Sequence, residues 1–289
     1  MSATAKKVSL SGWFRQFILR LVKAFAWLIS VVVIGIAVCL GLLWLEHRTP
    51  ITLPAPTGKF MISRATYNWI DTEQTGRPAP IARLKQELVV WIWYPSTGRR
   101  SGGMVDDYMP KPWRTAAEQT RGPLMSNFLT RDLAKVHGHS IINGNISPEL
   151  KTYPLVIMRP GLSALTLEYS AFAEDLSSHG YIVVGFDAPY RTSLVVLPGG
   201  RVITRAPENN PEIFSAKEQD RILSKLMIAW CADTRFVLDQ LERLNTVDPS
   251  GRFKGRIDMS RIGFLGTHLA GRQQHNFATM TKGARQELI

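Results

Sequence analysis

Two short stretches carry residue types that could do chemistry. The first is Arg159-Pro160-Gly161-Leu162-Ser163-Ala164, directly after the apolar run Leu155 to Met158. Glycine at such a strand end lets the backbone turn so that a free N–H points into a site, which suits an oxyanion donor. An ordinary strand-to-helix turn reads the same way, so this stretch alone is not diagnostic. The second is Gly263-Phe264-Leu265-Gly266-Thr267-His268-Leu269-Ala270-Gly271. A strand ending in G-x-S-x-G exposes a nucleophilic serine on a sharp turn. Here the strand and first glycine stand, but His268 takes the serine's place and Ala270 the second glycine's. Two other serines are poorer candidates. Ser140 in Gly138-His139-Ser140 has no glycine at 142, and Ser163 also lacks its second glycine. Direct attack by the His268 imidazole would need an acid to orient it, and none is assigned.

The elements that must hold these stretches are legible from hydrophobic patterning. Leu88 to Tyr94 (LVVWIWY) is β-branched and aromatic, stops at Pro95, and reads as a strand. Tyr181 to Phe186 (YIVVGF) and Arg261 to Leu265 (RIGFL) are further apolar strands. Leu167 to Ser178 has Tyr169, Phe172, Ala173 and Leu176 at helical spacing and ends at Gly180. Ala216 to Asn245 repeats Leu223, Met227, Trp230, Thr234, Val237, Leu241 and Leu244 every three or four residues, a long helix. Strands without alternation, separated by helices, predict a parallel sheet covered on both faces, the α/β class. Residues 96–150 are rich in Gly, Pro and polar residues and read as loops with short helices.

The chain has 289 residues and a formal charge of +12. Lys6, Lys7, Arg15, Arg20 and Lys23 supply five of those charges before the uncharged 22-residue run Ala24 to Leu45. As a helix that run would measure about 33 Å, enough for a bilayer core. It lacks the polar face of a core helix, and ends in Leu-Leu-Trp-Leu rather than at a small-residue cleavage site. It is expected to be an uncleaved transmembrane anchor. The positive-inside rule then puts the N-terminus in the cytoplasm and the remainder outside, the periplasm in a bacterium. Residues 46–289 keep a charge of +7 but show no basic run interleaved with aromatics, which removes the main support for a nucleic-acid partner. Two cysteines, Cys39 and Cys231, exclude a disulfide scaffold and a cysteine zinc site, and no metal is expected.

Several stretches resemble platelet-activating factor acetylhydrolases of the plasma, or isoform II, type, within the α/β-hydrolase superfamily. They are GKFMISRATYNWID (residues 58–71), ELVVWIWYP (87–95), HGHS (137–140), VIMRPGL (156–162), AEDLSSHGYIVVGFDAPYRT (173–192) and AWCADTRFVLDQLERLN (229–245). The resemblance implies a cofactor-free, calcium-independent serine esterase that removes short or oxidised sn-2 acyl chains from phospholipids. It places the nucleophile at His268 and the oxyanion N–H groups at Leu162 and Leu269. Asp187 precedes the nucleophile in that order, so a structural role is expected for it.

The implied organisation is a basic cytoplasmic segment (1–23), an anchor (24–45), a Pro-rich tether (46–57), a partial α/β-hydrolase domain (58–271) and an off-pattern tail (272–289). In a Ser, Asp, His order the acid and base follow the nucleophile. The 21 residues after His268 hold no aspartate, and His275 comes too early. The expected fold is therefore an α/β-hydrolase-type parallel sheet, incomplete at the C-terminus, in an inactive chain. The genetic code suggests a cause. If each codon from Thr267 to Ile289 is read one base earlier, the allowed choices include HSLGGATAAQFCHDDERCKAGID, which follows the family's elbow, small-residue helix and next strand. A one-nucleotide deletion just after the Gly266 codon is the expectation. The other readings are a non-catalytic membrane-anchored lipid- or partner-binding protein, and a general short-chain carboxylesterase of dienelactone-hydrolase type. Oligomeric state is not readable.

Overall fold

The computed structural model describes residues 10–71, 86–97, 105–162 and 164–266. The chain divides into two compact units, Met1–Thr49 with Pro123–Asp132, and Pro50–Gly122 with Leu133–Ile289.

The first unit is built on helix α1, Leu10–Arg48. It is apolar and long enough to cross a membrane, and none of its most apolar window is buried. Beside its C-terminal end lies the 123–132 segment, which forms a single π turn at Met125–Leu129.

The second unit is a sheet with helices on both faces. Its strands are β1 Ile51–Thr52, β2 Met61–Asp71, β3 Gln86–Ser96, β4 Val105–Asp107, β5 Val136–Ile142, β6 Tyr153–Arg159, β7 Ile182–Asp187 and β10 Ile257–Gly266. A separate hairpin pairs β8 Leu194–Val196 with β9 Val202–Thr204. The order is β1-β5-β2-β3-β7-β6-β10, with β4 on β5. The pairs β1–β5, β5–β2, β7–β6 and β6–β10 are parallel. The sheet is nevertheless mixed, because β3 runs antiparallel to both of its neighbours, β2 and β7. An apolar run records burial on two faces and carries no signal of direction.

Successive residues of β3 explain why it is apolar throughout. Leu88, Val90, Ile92 and Tyr94 join Leu155, Ile157, Val184 and Phe186 on one face. Val89, Trp91 and Trp93 join Met158 and Val183 on the other. Helix α4, Ala216–Thr246, covers the first face with Phe236, Val237, Leu241 and Leu244. Helices α2, Lys111–Arg121, and α3, Ser170–Ser178, cover the second through Trp113, Ala116, Ala117 and Ala173. Trp113 meets the Trp91 ring edge-on at 5.3 Å.

Two expectations need correction. Residues 96–150 are not only loops and helices, since β5 lies among them and pairs with β1, β2 and β4. Helix α3 also departs from the apolar pattern at one position, Phe172. Its buried residues are Ser170, Ala173, Glu174, Ser177 and Ser178, while Phe172 is 62% exposed. Ala173 is buried and Tyr169 and Leu176 pack partly buried against the same core, so of the four apolar residues at helical spacing Phe172 turns outward, with polar side chains buried alongside the other three. Gly180 follows α3 with φ +93, a backbone conformation that favours glycine, and a Cβ there would stand 3.2 Å from the Phe60 ring. Cys39 and Cys231 are both free.

Candidate active site

The two stretches singled out by residue type end adjacent, parallel strands. β10 pairs with β6 so that Leu265 stands opposite Met158 and Gly266 opposite Arg159. Strand neighbours lie about 4.8 Å apart. The Arg159-Pro160-Gly161-Leu162 loop and the chain leaving Gly266 therefore start side by side at the carboxyl end of the sheet, where open α/β sheets hold their ligands. β10 is regular only over its second half, with a register shift between Asp258 and Ile262.

The loop after β6 is fastened at both ends. It turns tightly through a bond from the Ala164 N–H to the Gly161 carbonyl, 3.0 Å. At its start, the buried Arg159 guanidinium lies 4.3 Å over the Trp230 ring of α4. Half-buried Leu162 packs against Ile222, Leu226, Met227 and Trp230 of the same helix. Among the described residues nothing accepts a hydrogen bond from the Leu162 N–H. At the loop's far end, Asp187 accepts the Thr166 N–H at 3.0 Å and the Trp91 indole N–H at 2.9 Å. Gly185 makes that approach possible, because a Cβ there would fall 2.3 Å from Thr166 Cγ2.

Burial sets the electrostatics. It pushes the Asp187 carboxyl from 3.8 up to about 6, against the opposing pull of the Thr166 and Trp91 hydrogen bonds and of Arg159. It pushes Arg159 down to about 10, with Asp233 acting the other way. Beside them, Arg191 Nη2 lies 2.9 Å from Asp233 Oδ1 and 2.8 Å from Oδ2, with both side chains buried. This pair ties the turn after β7 to α4. Tyr190 in that turn takes a positive φ of 65, and Thr192 Oγ1 accepts the Ala188 N–H at 3.0 Å.

Of the expected site residues, the structure describes Leu162. His268 and Leu269 lie outside the described residues, as do Ser163, His275, the residues after Gly266 and residues 1–9 of the basic segment. Ser140 is 2% exposed on β5, and its hydroxyl donates to Glu174 Oε1 at 2.7 Å. The same oxygen accepts the His139 and Ser140 N–H groups at 3.0 and 2.9 Å. A hydroxyl spent in this way on a buried carboxylate is a strut. His139 Nε2 lies 2.9 Å from the Leu53 carbonyl. Among the described residues no group of three or more His, Cys, Asp or Glu could hold a metal.

Sequence reasoning missed Glu174 and the Arg159, Arg191 and Asp233 cluster. A charged residue next to Ala173 on a helix reads as solvated, and only its partners show otherwise. Asp233 falls between Trp230 and Val237 in the α4 repeat, which was the one available signal.

The sheet order, the helices on both faces and the paired strand ends define an α/β-hydrolase fold. The ferulic acid esterase of Streptomyces cinnamoneus superposes with a TM-score of 0.59 at 26% identity, over 82% of this chain and 59% of that one. Within that class the chain is similar over part of its length to platelet-activating factor acetylhydrolases. The family model "Platelet-activating factor acetylhydrolase, isoform II" matches residues 85–192. A probable 1-alkyl-2-acetylglycerophosphocholine esterase of Arthroderma benhamiae is 28% identical over 120 residues, 41% of this chain and 26% of the relative. The chain thus spans about a quarter of that relative's length and 59% of the solved esterase.

Proposed function

We propose that this fold belongs to a lineage of serine esterases that cleave short or oxidised acyl groups from phospholipids, and that the chain as written is inactive. The carrying observation is the register that sets Gly266 beside Arg159. It supports a nucleophile turn next to an oxyanion loop whose Leu162 N–H has no acceptor among the described residues. In an active member, an elbow serine would attack the ester carbonyl. The N–H groups at the positions of Leu162 and Leu269 would hold the resulting oxyanion, whose collapse would break the ester C–O bond, release the lysophospholipid alcohol and leave an acyl-enzyme. No cofactor enters this chemistry. Here His268 holds the nucleophile's position, which removes the covalent step.

The shifted-frame reading of Thr267 to Ile289 supports a one-base deletion as the origin. Sequencing the gene tests that directly: a downstream shifted frame that does not continue as an α/β-hydrolase ends the idea. Activity is tested with short-chain p-nitrophenyl esters on the full chain. No turnover is expected. Hydrolysis abolished by a serine-directed phosphonate would overturn the assignment of inactivity. A general short-chain carboxylesterase is the second reading, and likeness to an esterase of ferulic acid favours it. In a frame-restored protein, phospholipid against aryl ester preference separates the two. We further propose that α1 anchors the chain with its basic N-terminus in the cytoplasm and the sheet outside. The five basic residues before Ala24 support that orientation.

A further inference from the structure

The turn after β7, Ala188 to Thr192, lies on the other side of the oxyanion loop from Gly266. β6 is flanked by β10 and β7 and runs parallel to both, with Gly266 opposite Arg159 and Gly185 opposite Met158. Two strand spacings put the start of the turn about 10 Å from the end of β10, within reach of a small ester whose carbonyl sits at the Leu162 N–H. Tyr190, half-buried, forms the corner of this turn. Its backbone is left-handed, with φ 65, which is costly for a bulky side chain and free of cost for glycine. Among the described residues Asn143 is the one other non-glycine residue with positive φ, and asparagine is a type that tolerates it.

The turn is held without the Tyr190 side chain. The Ala188 carbonyl accepts the Arg191 and Thr192 N–H groups at 3.2 and 3.0 Å, and the Tyr190 carbonyl accepts the Ala206 N–H at 3.0 Å. Asn209 Nδ2 donates to the same carbonyl at 3.0 Å. The Arg191–Asp233 pair and the Thr192 hydroxyl complete the fastening. Among the described residues the phenol itself makes no hydrogen bond and no ring contact. A left-handed backbone that its surroundings over-determine, carrying a bulky side chain that takes no part in holding it, is the pattern of a residue kept for a ligand. We propose that Tyr190 is a specificity-determining residue of the ester site, its ring stacking on an aromatic group of the substrate beside the scissile carbonyl. Two rings in offset or edge-on contact gain beyond burial, and a saturated group gains burial alone. The nearby Arg191 and Asp233 charges are paired with each other, so the turn offers a ring rather than a net charge. The inference rests on the esterase reading above.

The test uses the full chain in lipid nanodiscs with two ligands, N-phenylbutanamide and N-cyclohexylbutanamide. They present the same acyl carbonyl, resist ester hydrolysis, and differ in whether the ring is aromatic. Binding is read by titration calorimetry against empty nanodiscs, in the unaltered chain, Tyr190→Phe and Tyr190→Gly. In the first two the phenyl ligand is expected to bind about 2- to 10-fold more tightly than the cyclohexyl one. In Tyr190→Gly that preference is expected to vanish while the melting temperature holds or rises, because glycine relieves the left-handed backbone. Binding of both ligands with no aromatic preference, or a preference that survives Tyr190→Gly, overturns the role of Tyr190 and leaves the esterase reading standing. Binding of neither ligand overturns the reading of the site, and the proposal with it. A melting temperature lowered in Tyr190→Gly makes the ring a structural prop and overturns the proposal.

Discussion

Asp187 at the end of β7 accepts the backbone N–H of Thr166 at 3.0 Å, so one buried carboxyl fixes where the loop after β6 re-enters regular structure. The carboxyl is pushed up from 3.8 to about 6. Between those values the folded chain binds more protons than the unfolded one, so this group's contribution to stability is complete below about pH 4. It falls as pH rises toward about 6. Asp187→Asn is expected to remove that slope from the melting temperature of the full chain. It should also lower stability by about 1–3 kcal/mol, because the amide cannot accept from both Thr166 and Trp91. An unchanged pH profile in the variant would show that Asp187 is not the titrating group.

Gly185 and Thr166 form a steric lock. A Cβ at 185 would stand 2.3 Å from Thr166 Cγ2. Gly185→Ala is expected to cost about 1–3 kcal/mol in a urea melt, as overpacking does. Adding Thr166→Ser removes the clashing methyl and is expected to recover part of the loss. No recovery would place the strain elsewhere.

Glu174 and Ser140 separate a strut from a nucleophile. Ser140→Ala deletes one hydrogen bond, with an expected cost of about 0.5–1.5 kcal/mol. Glu174→Ala leaves the His139 and Ser140 N–H groups buried without their acceptor, at about 1–3 kcal/mol for each orphaned group. In a frame-restored protein, Ser140→Ala is expected to leave phosphonate labelling intact. Lost labelling would make Ser140 the reactive serine.

Arg191 and Asp233 test how the turn after β7 is tied to α4. Removing one partner of a buried pair costs about 3–5 kcal/mol, because the other charge is stranded. Arg191→Met alone is therefore expected to destabilise the chain more than Arg191→Met/Asp233→Leu. Equal or additive losses in a double-mutant cycle would mean that the two side chains act independently.

The sequence by itself determined the local elements and the two stretches able to do chemistry. Continuous apolar runs such as Leu88 to Tyr94 must be strands buried on both faces, and the 3.6-residue repeat from Ala216 makes a helix, because both signals lie within neighbouring residues. The uncharged run from Ala24 to Leu45 is equally local. The tertiary structure alone decided what depends on pairs far apart in the chain. Strand direction is one such property, since an antiparallel β3 and a parallel one bury the same side chains. β5 is another: VHGHSII is a weak strand sequence, and its pairing with β1, β2 and β4 makes it one. The inward turn of Glu174, the seating of Arg159 on Trp230 and the adjacency of Gly266 to Arg159 belong with these. A buried charge is tolerated only where distant partners satisfy it, and no window of sequence contains both partners.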